Sequence, residues 1–291
     1  MGAKVREIRR RIRSVKSTQQ ITRAMELIAA SRIVKAHARA LRARPFAQAI
    51  GEMMEMLAGE VPSPLLVERE PVRGVGVIVV TSDRGLCGAY NSNVLREAER
   101  TRRREAEAGR RVEVTAVGRK AISYFRFRRV PLAGEFSGVS EAPRYADAQK
   151  IAARAIEAYV SGGLDRVHIA YTDFVSTFLQ RSRVTQILPP ARARETTREP
   201  ALRALFEYEP EPAELLEALL PRYVEVKVYA ALLESSASEH AARRRAMKSA
   251  TDNAEDLLKV LTQDVNRARQ GEITAELADI VGATEALRGV G

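Results

Sequence analysis

Between Arg222 and Gln270 the chain has neither proline nor glycine. These are the two residues that most disfavour a helix interior, so a long stretch without them, rich in Ala, Leu, Glu and Arg, is committed to one helix. Carried from Arg222 to Leu287 it would hold 66 residues, roughly 100 Å at about 1.5 Å per residue. A domain built from the middle of the chain has a radius of gyration of only about 14 Å. The helix must therefore extend past that domain, and it needs a companion along its length.

The N-terminus supplies one. Residues 1–44 carry 13 basic and 2 acidic side chains, no proline and a single glycine, Gly2. Ile8, Ile12 and Val15, and again Ile21, Met25 and Ile28, are spaced i, i+4, i+7, which puts each trio on one helix face. The trios are offset around Thr18 and Gln19, so the seam is locally polar. Pro45 should bend or end this helix, yet Phe46, Ile50, Met53 and Leu57 continue its stripe to about Ala58. Residues 208–291 hold 10 basic and 15 acidic side chains, a net −5 facing the +11 of residues 1–44. Two terminal helices of opposite charge, with a domain between them that returns the chain, predict an antiparallel coiled coil. Leu215, Leu216, Leu219 and Leu220 precede Pro221, which suits the first turn of the C-terminal helix. Near its end Ile273, Leu277, Ile280 and Val281 form an apolar tip that implies a surrounding partner.

From about Pro71 to Glu207 strand-like and helical runs alternate. Val75–Val80, Val112–Val117 and Val167–Tyr171 read as buried strands, and Val184–Leu188 as a further one. Asn91–Ala108, Lys120–Phe127 and Tyr145–Val160 read as helices. This alternation predicts a small, Rossmann-like α/β domain with a mainly parallel sheet. The expected fold class is α/β: a long antiparallel coiled coil of the N- and C-terminal helices (1–60 and 208–291) plus that domain (71–207). Ala191–Glu199 is expected to be an exposed loop.

Composition narrows the chemistry. The one cysteine, Cys87, excludes an intrachain disulfide, and with three scattered histidines a metal cluster is not expected. His37, His168 and His240 have no carboxylate or second histidine three or four residues on, so ordinary surface or packing roles are expected. No apolar run approaches the roughly 20 residues needed to span a bilayer. The basic N-terminus lacks the apolar stretch of a signal peptide and is read as part of the mature protein. There is no G-x-x-x-x-G-K-[ST], H-E-x-x-H, G-x-S-x-G or C-x-x-C motif. The best candidate for chemistry is Thr81–Asn91 (TSDRGLCGAYN), which follows a strand and opens a helix, where backbone N–H groups can hold an anion. The structural reading stands beside it: Gly85 and Gly88 permit a tight turn, Asn91 caps the helix and Cys87 is a small buried thiol. Glu207–Glu217 (EYEPEPAELLE) reads as a solvated connection.

Several stretches together resemble the gamma subunit of the F-type ATP synthase, of bacterial type. They are Ile8–Val15 (IRRRIRSV), Thr18–Glu26 (TQQITRAME), Thr81–Gly88 (TSDRGLCG), Tyr223–Tyr229, Ala246–Asn253 (AMKSATDN) and Asn266–Thr274 (NRARQGEIT), in the family's order over essentially the whole chain. The resemblance implies a non-catalytic rotor shaft without cofactor. Its terminal helices would lie inside a ring of alpha and beta subunits, and its α/β domain would dock with the epsilon subunit on the ring of c subunits. It implies a place at the cytoplasmic face of the bacterial cell membrane, reached only through partners. By motif, Met25, Arg269, Gln270, Thr274 and Glu276 would meet an acidic loop of a beta subunit, and Gly85, Leu86, Tyr208 and Glu209 belong to the foot. Two features depart from the family pattern: Arg126–Arg129 (RFRR) is unusually basic, and no inserted dithiol segment is present. A basic coiled coil that binds nucleic acid is the alternative reading, and an enzyme using the Thr81–Asn91 loop a third.

Overall fold

The structure, a computed structural model, describes residues 3–60, 66, 69–190 and 211–288. The expected Ala191–Glu199 loop, Tyr208 and Glu209 lie outside these residues. In chain order the elements are α1 (Ala3–Glu60), β1 (Gly74–Val80), α2 (Tyr90–Glu107), β2 (Arg111–Val117), α3 (Arg119–Phe127), β3 (Leu132–Phe136), α4 (Tyr145–Val160), β4 (Arg166–Phe174), β5 (Gln180–Leu188) and α5 (Pro212–Arg288). The chain divides into two compact units, one of residues 1–28 and 244–291, the other of residues 29–243.

The larger unit is built on a five-stranded sheet of order β3-β2-β1-β4-β5. The β1–β2, β1–β4 and β2–β3 pairs are parallel and β4–β5 antiparallel. Every residue of β1 is buried, as expected of a central strand covered on both faces. Its alternation divides two cores. Val75, Val77 and Val79 pack with Val94, Leu95 and Ala98 of α2 and with Ala121 and Phe125 of α3. Ile78 and Val80 face the other way, against Ile151, Ala152 and Tyr159 of α4, Met54 and Leu57 of α1, and Leu216, Leu220 and Val224 of α5. Strand β3 was not foreseen: it is short, contains Gly134 and follows Pro131, so it carries little strand signal of its own.

Both internal prolines lie inside helices, Pro45 in α1 and Pro221 in α5. The expectation that Pro221 sits in a helix's first turn is thus corrected, because α5 already begins at Pro212. Leu216 and Leu220 on one side and Tyr223 and Val224 on the other belong to the same buried core. Burial on both sides of the proline outweighs the hydrogen bond that it removes.

In the smaller unit the helical segments pair through a seam with alternating three- and four-residue steps. It runs through Val5, Ile8, Ile12, Val15, Gln19, Thr22 and Glu26 on α1, and through Met247, Thr251, Ala254, Leu258, Leu261, Val265 and Ala268 on α5, all buried or half-buried. Such 3-4 spacing defines a coiled coil. Thr22 and Thr251 meet at 2.8 Å between hydroxyl oxygens. The Lys248 ammonium is stabilised first by Asp252 and more weakly by Glu26. The two segments are therefore antiparallel. The first expected trio lies on this seam, but the second does not: Ile21 and Ile28 are 58% and 54% exposed. The heptad passes through Gln19, Thr22 and Glu26 instead, which turns these isoleucines outward.

Candidate functional site: the Thr81–Asn91 turn and the helical pair

The turn after β1 is held by the chain itself. Three consecutive N–H groups at the start of α3 point into it: Arg119 N donates to Asp83 Oδ1 (3.1 Å), Lys120 N to the Ser82 carbonyl (3.2 Å) and Ala121 N to Thr81 Oγ1 (2.8 Å). Gly118, the N-cap residue, has no side chain to cap with, so a threonine from the neighbouring strand performs the task. Asp83 Oδ2 also accepts from Ser140 N at 3.2 Å, and Asp83 N donates to Ser140 Oγ at 3.0 Å. Burial disfavours the Asp83 carboxylate, but backbone donors at Gly138, Ser140 and Arg119 outweigh it and hold its pKa below the usual range. The anion at this helix start is thus the protein's own. Thr81→Val is expected to cost about 1–2 kcal/mol, read as a lowered urea midpoint with unchanged far-UV spectrum.

The turn's other residues follow the structural reading, with two corrections. Asn91 does not cap α2, whose first residue is Tyr90. Its Oδ1 accepts from Ser82 N at 2.9 Å, so it ties the turn back onto the strand end. Gly85 is not left-handed; the positive φ values are at Leu86 (61°) and Gly88 (57°). Cys87 is buried, and burial pushes its thiol pKa up, the opposite of an activated nucleophile.

Behind the turn lies a buried charged cluster that the sequence did not single out. Glu239 and Arg243 of α5, fully and almost fully buried, pair at 2.7 Å. Arg243 Nη2 also reaches the carbonyls of Arg84 (3.4 Å) and Gly85 (3.3 Å). His240 Nδ1 lies 3.4 Å from Arg243 Nη1, and its Nε2 lies 3.4 Å from the Glu141 carbonyl. Arg243 can only donate, so Nδ1 accepts and Nε2 carries the proton: the ring is neutral. Burial lowers its pKa to about 4. Glu141 in turn pairs with Arg32 of α1 (2.6 Å) and Arg84 (3.2 Å). The available signal was the i, i+4 spacing of Glu239 and Arg243, which is indistinguishable in sequence from an exposed pair. His37, against Phe174 with ring centroids 5.1 Å apart, and buried His168 have the expected packing roles.

The residues singled out for partner contact all lie in the smaller unit. Met25 is half-buried on α1, and Arg269, Gln270, Thr274 and Glu276 are exposed on α5. The structure does not gather them into one cluster: in the antiparallel register Met25 lies level with about residue 248, some 30–40 Å along the axis from the other four. Beyond Ala268 every side chain through Gly282 is exposed except half-buried Glu272. Ile273, Leu277, Ile280 and Val281 are accordingly large apolar side chains about half exposed to solvent.

The chain is similar to known proteins over nearly its whole length. The ATP synthase family model matches residues 4–287. The ATP synthase gamma chain of Frankia casuarinae is 48% identical, over 99% of this chain and 99% of its own length. The chain belongs to the ATP synthase gamma-chain family. Another gamma chain, from Mycolicibacterium smegmatis, is 47% identical with 99% of each chain covered. Among solved structures, the central stalk of the Tetrahymena thermophila mitochondrial ATP synthase has 28% identity and a TM-score of 0.59, covering 79% of this chain and 99% of that one. The rotor of the Euglena gracilis mitochondrial enzyme, at 19% identity, shares the fold with a TM-score of 0.68 over 94% of this chain and 100% of its own.

Proposed function

We propose that this gamma-family chain is the central rotor shaft of an F-type ATP synthase, transmitting proton-driven rotation to a ring of alpha and beta subunits and catalysing nothing itself. The observation that carries the reading is the antiparallel helical pair whose α5 end outruns its partner and presents Ile273, Leu277, Ile280 and Val281 to solvent. Ile21, Leu27 and Ile28 of α1 and Leu257 and Val260 of α5 are likewise exposed. A two-helix pair that turns large apolar side chains outward along its length is built to be surrounded.

A non-catalytic rod biases a catalytic neighbour only by touching its states differently. This pair meets that condition because it is lopsided: two helices wide beside Thr22 and Thr251, one helix wide beyond Ala268. Turning it presents each beta subunit with a different face. Arg269 would donate charge-assisted hydrogen bonds to an acidic beta loop and Gln270 and Thr274 neutral ones; Met25 and Glu276 are assigned to the same subunit. The α/β domain would join the epsilon subunit and the c ring. No described helix is long and apolar enough to cross a membrane, so attachment at the cytoplasmic face of the cell membrane would run through these partners.

Reconstituting the synthase with and without the chain tests the reading: proton-driven ATP synthesis is expected only with it, and the chain alone should hydrolyse no ATP. Deleting Ile273–Gly291 is expected to reduce coupled synthesis several-fold or impair assembly, and unchanged coupling would remove the tip from the mechanism. The nucleic-acid alternative gains nothing from the structure, since exposed Ile21, Leu27 and Ile28 interrupt the basic surface of α1.

A further inference from the structure

The unusually basic segment noted in the sequence lies beside a groove. Between α2 and α3, on the sheet face opposite α4, an open groove of about 1130 Å³ is lined by Arg96, Arg100 and Arg103 on one wall and by Leu95, Tyr124 and Phe127 along its apolar floor and other wall. Phe127 is 89% exposed, an unusual state for phenylalanine. The three arginines are spaced i, i+4, i+7 and form one stripe about 10 Å long. Arg96 has no carboxylate partner among the described residues; Arg100 pairs with Glu97 in an exposed contact that exchanges readily, and Arg103, itself exposed, pairs with buried Glu99. Of the groove's two carboxylates, Glu99 is bridged by Arg102, Arg103 and Arg128, leaving Glu107 at the far end.

The same chain carries the complement. On the tip of α5, Glu272, Glu276 and Asp279 are spaced i, i+4, i+7, and Ile273, Leu277 and Ile280 repeat that spacing one residue on. The result is a helix with an acidic stripe beside an apolar one, with no Lys or Arg from Glu272 to Gly282. Acidic and basic stripes have equal length, and each is flanked by an apolar strip. This is helix-in-groove recognition with i, i+4, i+7 anchors.

We propose that the free chain associates head to tail, the α5 tip of one copy seated in the α2–α3 groove of a second copy. The acidic stripe meets Arg96, Arg100 and Arg103, while the isoleucines and leucine cover Leu95, Tyr124 and Phe127. Tip and groove are different surfaces, so the contact uses one of each and leaves a second tip and groove for a further copy or for a reciprocal contact. It covers the apolar tip whenever no other partner does. It does not rest on the shaft reading, since both surfaces belong to the chain alone.

Sedimentation velocity on the full-length chain tests this. At low ionic strength the wild type is expected to show concentration-dependent oligomers that dissociate at about 0.5 M salt. R96E/R100E and E272R/E276R should each be monomeric, with association weakened at least about tenfold. An equimolar mixture of the two should associate again, because the intact tip of one variant meets the intact groove of the other and the reversed tip and groove are complementary in turn. Far-UV spectra should be unchanged, as Arg96, Arg100 and Glu276 are exposed and half-buried Glu272 exchanges one long charged side chain for another within a helix. A monomeric wild type at low salt, oligomers indifferent to either variant, or a mixture that stays monomeric would each overturn the proposal. So would equal binding of the groove to a single-stranded oligonucleotide or to anionic phosphatidylglycerol vesicles, which would mark it as a general polyanion site.

Discussion

Gly118→Ala is expected to lower stability by at least about 4 kcal/mol, a drop in melting temperature of roughly 10 °C or more. Gly118 has φ +91°, and a Cβ there would lie 2.2 Å from the Thr81 carbonyl oxygen and 2.8 Å from Thr81 Oγ1. Neither side can give way. Gly118 N is bonded to the Phe136 carbonyl at 2.7 Å, and Thr81 N to the Val117 carbonyl at 2.8 Å, so the clash is between two strand ends already fixed in the sheet. Relief would require parting β1 from β2 or releasing the start of α3, whose third N–H depends on Thr81 Oγ1. Gly109→Ala is the control: its φ is +76° but its Cβ would meet nothing within 4 Å, so only backbone strain of about 1–2 kcal/mol applies. Thermal unfolding followed by circular dichroism compares the two. Equal losses would show that the close approach to Thr81 contributes nothing.

That contrast marks how far the sequence could be read. The fold class was legible because its signals are periodic: β1 is apolar at every position except Gly74 and Gly76, and the terminal helices lack breakers over tens of residues. Both misjudged helix features came from reading local signals alone. Pro221 looked like a start because proline favours first turns, yet Leu216 and Tyr223 are buried on either side of it. Ile21 and Ile28 looked like the seam because they are apolar, yet the register set by Val5, Ile8 and Ile12 carries Gln19 and Thr22 inward and leaves them outside. The Thr81–Asn91 turn was found as a feature, but which residue capped which helix depended on strand neighbours: β1 lies beside β2, so Thr81 reaches α3 and Asn91 does not cap α2. The cluster of Glu239, His240 and Arg243 was invisible for a related reason. ASEHAARRR reads as a solvated helix, and nothing local says that β4 and the turns at Arg84 and Glu141 close over it.

Arg243→Met is expected to cost about 3–5 kcal/mol at pH 8, with the loss shrinking on acidification. The side chain's removal leaves the Glu239 carboxylate buried without its cation and strips the Arg84 and Gly85 carbonyls of a donor. Burial already raises the pKa of Glu239 against the pull of Arg243; without that pull the folded-state value rises further. A raised carboxyl pKa means that the folded state takes up its proton first, so the penalty is full above the folded pKa and fades as pH falls toward 4.5. His240 acts in the same direction. Its pKa is depressed from 6.5 to about 4, mainly by burial and in part by Arg243, so in the wild type stability is lost as pH falls from 6.5 toward 4. The variant, with one repulsive cation gone, loses less over that window. Urea midpoints at pH 8 and pH 5 should therefore converge for the two proteins. Adding Glu239→Leu to Arg243→Met should recover most of the loss at pH 8, because no uncompensated charge then remains. A double variant as unstable as the single one would mean that Arg243 acts through the turn carbonyls and not through Glu239.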